Sequence, residues 1–247
     1  MLHFLLSSRA LSRKMLTLQS TSKAAQQFPQ QFDLALEWIQ LHPILPRPVK
    51  IIVVEGLDGT GKSTLVDFLS VQRKTQKRYG IHGAMQSHRS EYDQENEHEK
   101  RQFYLLGNIA LMAELQTTPQ KNPICILDRS YATTLSYAAG NVVPTAQDTA
   151  TQVLPPTPIH WPAYLRPDIY IVLHCEEQER LRRLSARSVL ETNEEKDIAA
   201  SNALRRAIDY CYRNFEDATV LDTTPLSASE VASVALEIIN NQLNTNS

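Results

Sequence analysis

The sequence has little that would support a disulfide-bonded, zinc-binding or membrane-spanning protein. Its three cysteines (Cys125, Cys175 and Cys211) form no CxxC pair, which argues against a zinc site and against a disulfide framework. No apolar run reaches the roughly 18 residues of a membrane-spanning helix. A net charge of -2 gives no reason to expect nucleic acid or a membrane surface as a partner. Glycine is scarce, with seven residues, so a cluster of glycines is informative.

Acidic residues are missing from the beginning of the chain, where the first one is Asp33. The same stretch is rich in serine and threonine and mixes leucines with basic residues. Those basic residues are Arg9, Arg13, Lys14 and Lys23. This composition is typical of a mitochondrial transit peptide. We therefore predict a transit peptide over residues 1–30 and a mitochondrial location. A disordered basic tail is the alternative interpretation.

A proline-rich stretch follows, and we interpret residues 31–48 as a linker before one domain over 49–247. Within that domain, short β-branched apolar runs alternate with amphipathic segments. The predicted strands are 49–54, 124–127, 169–173 and 219–221. The predicted helices are 62–72, 101–116, 176–187, 194–215 and 228–243. Residues 80–100 are predicted as a loop with some helix, and 153–167 as a long connection ordered around Trp161. The alternation predicts an open parallel α/β sheet flanked by helices.

The segment from Gly56 to Ser63 matches G-x-x-x-x-G-K-[ST], the pattern of a phosphate-binding loop, between a predicted strand and a predicted helix. Its glycines let backbone N–H groups curl around phosphate, and the following helix presents the positive end of its dipole. In such a loop Lys62 reaches the β- and γ-phosphates, and the Ser63 hydroxyl binds Mg²⁺. The predicted nucleotide-binding residues are Gly56, Leu57, Asp58, Gly59, Thr60, Gly61, Lys62, Ser63 and Thr64.

A second motif, Asp128-Arg129, directly follows the predicted strand 124–127. Ligands of open parallel sheets bind outside the carboxyl ends of the strands, so both side chains are expected near the phosphate-binding loop. Arg129 can then hold an acceptor phosphate through two hydrogen bonds. Asp128 can hold Mg²⁺, directly or through water, or orient Arg129. A structural ion pair at a strand end is the alternative.

A third feature is a run of arginines on the predicted helix 176–187. Arg180, Arg183 and Arg187 are spaced by three and four residues and share one helical face. Such a run usually forms a solvated face. Phosphoryl transfer also needs cations around the moving group, often supplied by a mobile lid, so a catalytic role for one of them is the other interpretation.

In this order the motifs resemble the thymidylate-kinase-like family of P-loop nucleoside monophosphate kinases. The resemblance is carried by Glu55-Gly56-x-Asp58-Gly-x-Gly-Lys-Ser, by Asp128-Arg129 and by the arginine run. Within the family the chain is most similar to mitochondrial kinases of UMP and CMP, on the segments Phe103 to Asn108, Pro123 to Tyr137, Trp161 to Asp168 and Glu177 to Glu195. The resemblance implies a P-loop NTPase fold with a short arginine-rich lid, ATP and Mg²⁺ at the loop, and transfer of the γ-phosphoryl to UMP, CMP, dUMP or dCMP. It also implies small-molecule nucleotides as partners, and a homodimer as one possible assembly.

The resemblance further assigns an acceptor site. It implies that Arg129 binds the acceptor phosphate, that Tyr104 stacks on the base, and that Tyr137 belongs to the same site. Thymidylate kinases typically carry an arginine four residues after the aromatic one, where this chain has Asn108. The asparagine amide offers a donor and an acceptor that suit uracil or cytosine, which puts dTMP preference in doubt. Core packing is the alternative for Tyr104.

The resemblance also bears on the cation that stabilises the moving phosphoryl group. Some thymidylate kinases place an arginine directly after the aspartate of the loop, where this chain has Gly59. The cation must then come from the lid, and Arg183 and Arg187 are the predicted catalytic residues there. They join Lys62, Asp128 and Arg129 in the predicted catalytic set.

Three alternatives stay open. A thymidylate kinase would differ in the acceptor alone. A deoxynucleoside kinase must deprotonate a 5′-hydroxyl and needs a carboxylate at the end of the second strand, where Glu91 or Asp93 would have to serve. A nucleotide-binding regulatory protein without turnover would not need the intact Lys62, Ser63 and Asp128-Arg129.

Overall fold

A computed structural model describes residues 22–42, 47–140, 157–186 and 201–245 of the chain. Five parallel strands form one sheet in these ranges, in the order β2-β3-β1-β4-β5. They are β1 (Lys50–Gly56), β2 (Lys77–Tyr79), β3 (Ile124–Asp128), β4 (Ile169–His174) and β5 (Ala218–Asp222). The four predicted strands and the parallel sheet are confirmed. The edge strand β2 was not predicted, because its three residues (Lys-Arg-Tyr) form no apolar run.

Helices surround the sheet. Those described are α1 (Lys23–Gln27), α2 (Pro29–Leu41), α3 (Lys62–Gln72), α4 (Gly83–Gln86), α5 (Arg89–Tyr92), α6 (Glu97–Thr117), α7 (Tyr131–Gly140), α8 (Glu177–Ser185), α9 (Asn202–Arg213) and α10 (Ala228–Thr245), with a 3₁₀ turn at Ala163–Leu165. Helices predicted at 62–72, 101–116, 176–187 and 228–243 are confirmed over their described residues, and 194–215 is helical from 202 to 213. The helix α6 begins earlier than predicted because the Asn96 side chain caps it by accepting from the N–H groups of His98 and Glu99.

The central strand β1 is buried on both of its faces. Ile51 and Val53 pack into one hydrophobic cluster, which includes residues of α2, α6 and α9. Ile52 and Val54 pack into another, together with residues of α3 and α10. This two-sided burial explains why the strand is an almost unbroken apolar run in the sequence. It also fixes the carboxyl end of β1, where the phosphate-binding loop begins.

The interpretation of residues 31–48 as a linker is wrong over its first part. Residues 29–41 form the helix α2, which packs along α6. Its buried residues Phe32, Ala35, Trp38 and Ile39 follow the spacing of a helix that covers a core. The Trp38 indole N–H donates to the Tyr164 carbonyl oxygen at 3.0 Å. The helix ends at Leu41, shortly before the three prolines at positions 43, 46 and 48. Residues 43–46 lie outside the described ranges.

The short helix α1 overlaps the predicted transit peptide. Ala24 and Ala25 are buried, and Phe28 at the end of α1 lies 5.9 Å from the Phe103 ring of α6. Residues 22–30 are therefore part of the folded domain, while residues 1–21 lie outside the described ranges. The connection predicted around Trp161 is confirmed from residue 157, because Trp161 packs on Phe215. No helix in the described ranges is long and apolar enough to cross a membrane.

Candidate active site

The phosphate-binding loop joins β1 to α3, as its flanking sequence predicts. Gly56, Gly59 and Gly61 all have positive φ angles, of 141°, 89° and 99°. A Cβ atom on Gly56 would lie 2.4 Å from the Leu173 carbonyl oxygen of β4, so both the backbone angle and the space require glycine there. Gly61 is the N-cap of α3 and supplies no capping side chain, which leaves the N–H groups of the first turn for an anion.

The Lys62 side chain folds back over this loop. Its Nζ atom donates to the Leu57 carbonyl oxygen at 2.9 Å and lies 3.3 Å from Asp58 Oδ1. Lys62 is 6% exposed, and burial lowers the pKa of its ammonium group while the Asp58 charge opposes that shift. The ammonium therefore already lies inside the loop, where a bound polyphosphate would meet it.

Arg129 lies beside the same loop, as the sequence predicts. Its Nη2 atom is 2.6 Å from Asp58 Oδ1, and its backbone adopts a left-handed φ of 72° that turns the side chain out of β3. Burial alone would raise the pKa of Asp58, but the charges of Arg129 and Lys62 outweigh it and hold that pKa well below its usual range. Asp58 is thus a carboxylate between two cations. Its Oδ2 atom is buried and has no hydrogen-bond partner among the described residues.

Ser63 and Asp128, the two predicted Mg²⁺ ligands, also come together. The register of the sheet pairs Asp128 with Val54, and the Ser63 hydroxyl donates to Asp128 Oδ2 at 3.2 Å. Lys77 Nζ lies 3.9 Å from the same carboxylate oxygen. In the described ranges no group of three or more His, Cys, Asp or Glu side chains could hold a metal. The Ser63 hydroxyl oxygen and an Asp128 carboxylate oxygen are ligands that suit Mg²⁺, which usually completes its coordination with phosphate and water.

Glu55, the last residue before the loop glycine, was not predicted as a site residue. It is completely buried, and its carboxylate accepts hydrogen bonds from Ser130 Oγ at 3.0 Å and from Thr133 Oγ1 at 2.9 Å. The Tyr212 hydroxyl lies 3.1 Å from the same Thr133 oxygen. Burial raises the pKa of Glu55 to about 7, although the Arg129 charge opposes the shift. A lone acidic residue inside an apolar run is the signal that could have identified it.

The predicted base-binding residue Tyr104 lies on the side of the site formed by α5. Its hydroxyl donates to Asp93 Oδ1 at 2.6 Å, and Arg89 Nε approaches that hydroxyl at 3.5 Å. Burial lowers the pKa of Arg89, but the Tyr104 hydroxyl and the Asp93 carboxylate outweigh burial, so the pKa is raised. The Arg129 charge has a smaller effect in the opposite direction. Arg89 was not predicted, because its segment has no regular periodicity.

Asn108, which is predicted to recognise the base edge, is bonded to protein groups in this structure. It is 4% exposed, and its amide nitrogen donates to the Gly80 carbonyl oxygen. Its amide oxygen accepts from Thr134 Oγ1 at 2.8 Å. The amide therefore joins the loop after β2 to α7, and base recognition by Asn108 stays a prediction that would require at least one of these contacts to be exchanged for the base. Burial lowers the pKa of Arg129, but the Asp58 charge and a smaller contribution from Tyr137 of α7 outweigh burial and raise it above its usual value.

Two arginines of α8, Arg180 and Arg183, lie near the phosphate-binding loop and are bonded to protein groups. Arg180 is 1% exposed, and its Nη1 atom donates to the Asp58 carbonyl oxygen at 2.9 Å. Arg183 donates to the Thr223 carbonyl oxygen at 2.7 Å, and the Thr223 hydroxyl in turn donates to the Thr60 carbonyl oxygen. In this conformation Arg180 contacts the loop backbone directly, and Arg183 is connected to it through Thr223. Arg187, the other predicted lid cation, lies outside the described residues.

Comparison with known proteins agrees with this geometry. A family model described as thymidylate kinase matches residues 54–233, which include the loop, Asp128-Arg129 and the arginines of α8. The chain belongs to the thymidylate kinase family. The mitochondrial UMP-CMP kinase 2 of Homo sapiens is 30% identical to it over 200 residues, which are 78% of this chain and 43% of the human protein. The chain thus spans less than half the length of that relative.

Solved structures support the fold of this thymidylate kinase family member. The thymidylate kinase of Candida albicans superposes with a TM-score of 0.58 at 16% identity, over 80% of this chain and 93% of the other. A deoxyadenosine kinase from M. mycoides with bound dATP superposes with a TM-score of 0.52 at 15% identity, over 77% and 99% of the two chains. The predicted P-loop NTPase fold is therefore confirmed.

Proposed function

We propose that this thymidylate kinase family member transfers the γ-phosphoryl group of ATP to a pyrimidine nucleoside monophosphate, with UMP, CMP, dUMP and dCMP as the expected acceptors. The observation that carries the proposal is the contact between Arg129 and Asp58, which joins the Asp128-Arg129 motif to the phosphate-binding loop. Donor and acceptor phosphates would thereby meet at one edge of the sheet. The likeness to the human UMP-CMP kinase 2 supports the choice of acceptors.

The residues of the loop would bind the donor. The N–H groups at the start of α3 and the Lys62 ammonium face the β- and γ-phosphates, and together they offset negative charge that grows as the bond to the leaving group breaks. Mg²⁺, held through Ser63 and Asp128, would neutralise charge on the same phosphates. Thr64 follows Ser63 on an exposed turn of α3 and belongs to the proposed ATP-binding set.

The acceptor phosphate would be bound by Arg129, with Arg89, which approaches the Tyr104 hydroxyl, as a second cation. The phosphate of a nucleoside monophosphate is already ionised at neutral pH, so no strong general base is required. Catalysis then depends on alignment of the two substrates and on neutralisation of charge. A lid arginine at the moving phosphoryl remains part of the proposal. Arg183 would have to leave Thr223 to act in that way, which makes Arg187 the simpler candidate.

A deoxynucleoside kinase is less well supported. That reaction needs a carboxylate free to accept the proton of a 5′-hydroxyl. The two candidates are already engaged: Glu91 pairs with Lys23 at 2.8 Å, and Asp93 accepts the Tyr104 hydroxyl. A dTMP kinase remains a second candidate, because the family model bears that name and the Asn108 amide, predicted to favour uracil or cytosine, is bonded to Gly80 and Thr134.

A coupled assay of ADP release tests the proposal. The chain starting at Ser22 would be assayed with Mg-ATP and dTMP, UMP, CMP, dUMP, dCMP or deoxycytidine. We expect turnover led by one of the four expected acceptors, and none above background in a Lys62→Met control that excludes a contaminating kinase. Turnover with dTMP alone would discard the acceptor assignment, and turnover with deoxycytidine alone would discard the phosphate-binding role of Arg129.

A mitochondrial location is part of the same proposal. It rests on the basic, acid-poor composition before Asp33 and on the mitochondrial relative. Imaging of a C-terminally tagged full chain, compared with a chain that lacks residues 1–21, tests it. Equal distribution of the two proteins would contradict a targeting role for that segment.

A further inference from the structure

The helix α1 lies against the segment that carries Arg89 and Asp93. The residues between His88 and Glu95 form consecutive helical turns, with backbone hydrogen bonds from Tyr92 to His88 and from Asp93 to Arg89. This segment, which we call the acceptor turn (residues 88–95), carries Arg89 and Asp93 toward Tyr104. Its other face is covered by α1.

Four side-chain contacts connect α1 to the acceptor turn. Lys23 Nζ lies 2.8 Å from Glu91 Oε1 and 2.6 Å from Glu95 Oε1. The Tyr92 hydroxyl donates to Gln27 Oε1 at 2.8 Å, and Gln27 Nε2 lies 3.2 Å from His88 Nδ1. Phe28 adds an edge-on ring contact to His88 at 5.1 Å. Contacts of both charged and apolar type therefore hold the same short segment.

The helical period separates the two roles of the acceptor turn. Residues 88, 91, 92 and 95 are three or four positions apart and share the face toward α1. Residues 89 and 93, four apart, share the face toward Tyr104. Tyr92 fixes the rotation of the turn, because its ring stacks on Phe103 at 4.1 Å with an angle of 13° between the planes. Loss of the contacts between α1 and the acceptor turn would therefore rotate or loosen the turn that carries Arg89.

We propose that α1 is a positioning element of the acceptor site, in which Lys23 and Gln27 hold the acceptor turn so that Arg89 and Asp93 stay in contact with Tyr104. This inference rests on the proposed function. It goes beyond it by giving a role in monophosphate binding to residues before the family domain, which begins at residue 54. Lys23 and Gln27 touch neither substrate in this arrangement and act through Arg89.

The test uses the full chain with the double substitution Lys23→Met and Tyr92→Phe. The first change removes both ion pairs, and the second removes the hydroxyl bond to Gln27 but keeps the ring that stacks on Phe103. We expect KM for the acceptor to rise roughly five- to tenfold, as the loss of two modest surface contacts allows. KM for ATP and the thermal midpoint should change little. Hydrogen exchange at the amides of residues 88–95 should become faster.

Two further variants separate positioning from general stability. Lys100→Met removes a lysine that pairs with Glu97 within α6 at 3.2 Å, and it should leave both KM values unchanged. Lys23→Arg with Tyr92 intact keeps a cation opposite Glu91 and Glu95, and it should retain the acceptor KM of the unaltered chain.

The outcomes discriminate between the inference and the proposed function. An unchanged acceptor KM in the double variant, or equal changes in both KM values together with a lower thermal midpoint, would overturn the inference alone. Absence of turnover by the unaltered chain with every monophosphate would overturn the proposed function, and the inference with it.

Discussion

Glu55 offers a direct test of the electrostatics beneath the phosphate-binding loop. The substitution Glu55→Gln keeps the shape of the side chain and its contacts with Ser130 and Thr133 but removes its charge. In the folded chain, burial raises the pKa of this carboxyl group from 4.5 to about 7, and the nearby Arg129 opposes the shift only in part. The unfolded chain exposes the group to water, where its pKa returns to the ordinary value.

The direction and the size of the pH effect on stability follow from the coupling of proton binding to folding. Because the folded state binds the Glu55 proton more tightly than the unfolded state, the protonated carboxyl group contributes its full share to the free energy of unfolding below pH 4.5. That contribution is lost as the pH rises through the folded-state pKa of about 7. A shift of one pKa unit corresponds to about 1.4 kcal/mol, so the whole loss is about 3 kcal/mol. Between pH 5 and pH 8 the unaltered chain should lose roughly 2 to 3 kcal/mol more than the Glu55→Gln variant.

Urea denaturation at the two pH values measures this difference. Other titrating groups cancel when the variant is subtracted from the unaltered chain. Glu230→Gln is a matched control, because hydrogen bonds from Ser227 lower the Glu230 pKa and move its contribution to more acidic conditions. It should show no such change above pH 5. A Glu55→Gln difference that is independent of pH would refute the buried, titrating carboxyl group.

Three other predictions follow from the site. Lys62→Met should lower kcat/KM by at least about a hundredfold in steady-state kinetics, the size expected for one lost charge stabiliser; an enzyme with full activity would remove Lys62 from the mechanism. Arg129→Lys should raise KM for the acceptor by about tenfold or more while KM for ATP stays within twofold, because a lysine cannot form the two parallel hydrogen bonds; equal effects on both KM values would contradict the assignment. Gly56→Ala should destabilise the chain by about 2 kcal/mol or more in urea denaturation, since its Cβ would lie 2.4 Å from the Leu173 carbonyl oxygen, whereas Gly83→Ala, which meets nothing within 4 Å, should have little effect.

The parts of the site that could be predicted from sequence are those set by local pattern. The loop from Gly56 to Ser63 carries its own flanking strand and helix, and Asp128-Arg129 directly follows a buried strand. Parallel pairing of β1 and β3 then brings the two motifs to the same edge without further information. The contacts of Arg129 with Asp58 and of Ser63 with Asp128 are consequences of that pairing.

The roles of isolated polar residues could not be predicted in the same way. Asn108 has the spacing of a base-reading residue on α6, but the partners that occupy its amide are the Gly80 carbonyl and the Thr134 hydroxyl. Neither is near it in the sequence. Arg183 is a similar case, because its partner Thr223 lies beyond the undescribed segment and after β5. A polar side chain of given type can serve a ligand or the protein, and only the three-dimensional neighbours decide between them.

The basic composition of residues 1–30 does not reveal that the last part of this stretch belongs to the folded domain. The composition of residues 1–30 predicts one basic segment that includes Lys23. In the structure, however, Lys23 meets Glu91 and Glu95 through its side chain and Glu99 through its backbone N–H. The Lys23 side chain is thus paired with two carboxylates of the folded domain and its backbone with a third, so in this structure Lys23 is part of the fold. If the leader is cleaved and the mature protein keeps the fold described here, the cut must precede Ser22, whose side chain caps α1. A protein shortened by thirty residues would lack α1, and we expect its acceptor KM in the ADP-release assay to be higher than that of the chain that starts at Ser22; equal KM values would contradict a role of α1 in positioning the acceptor turn.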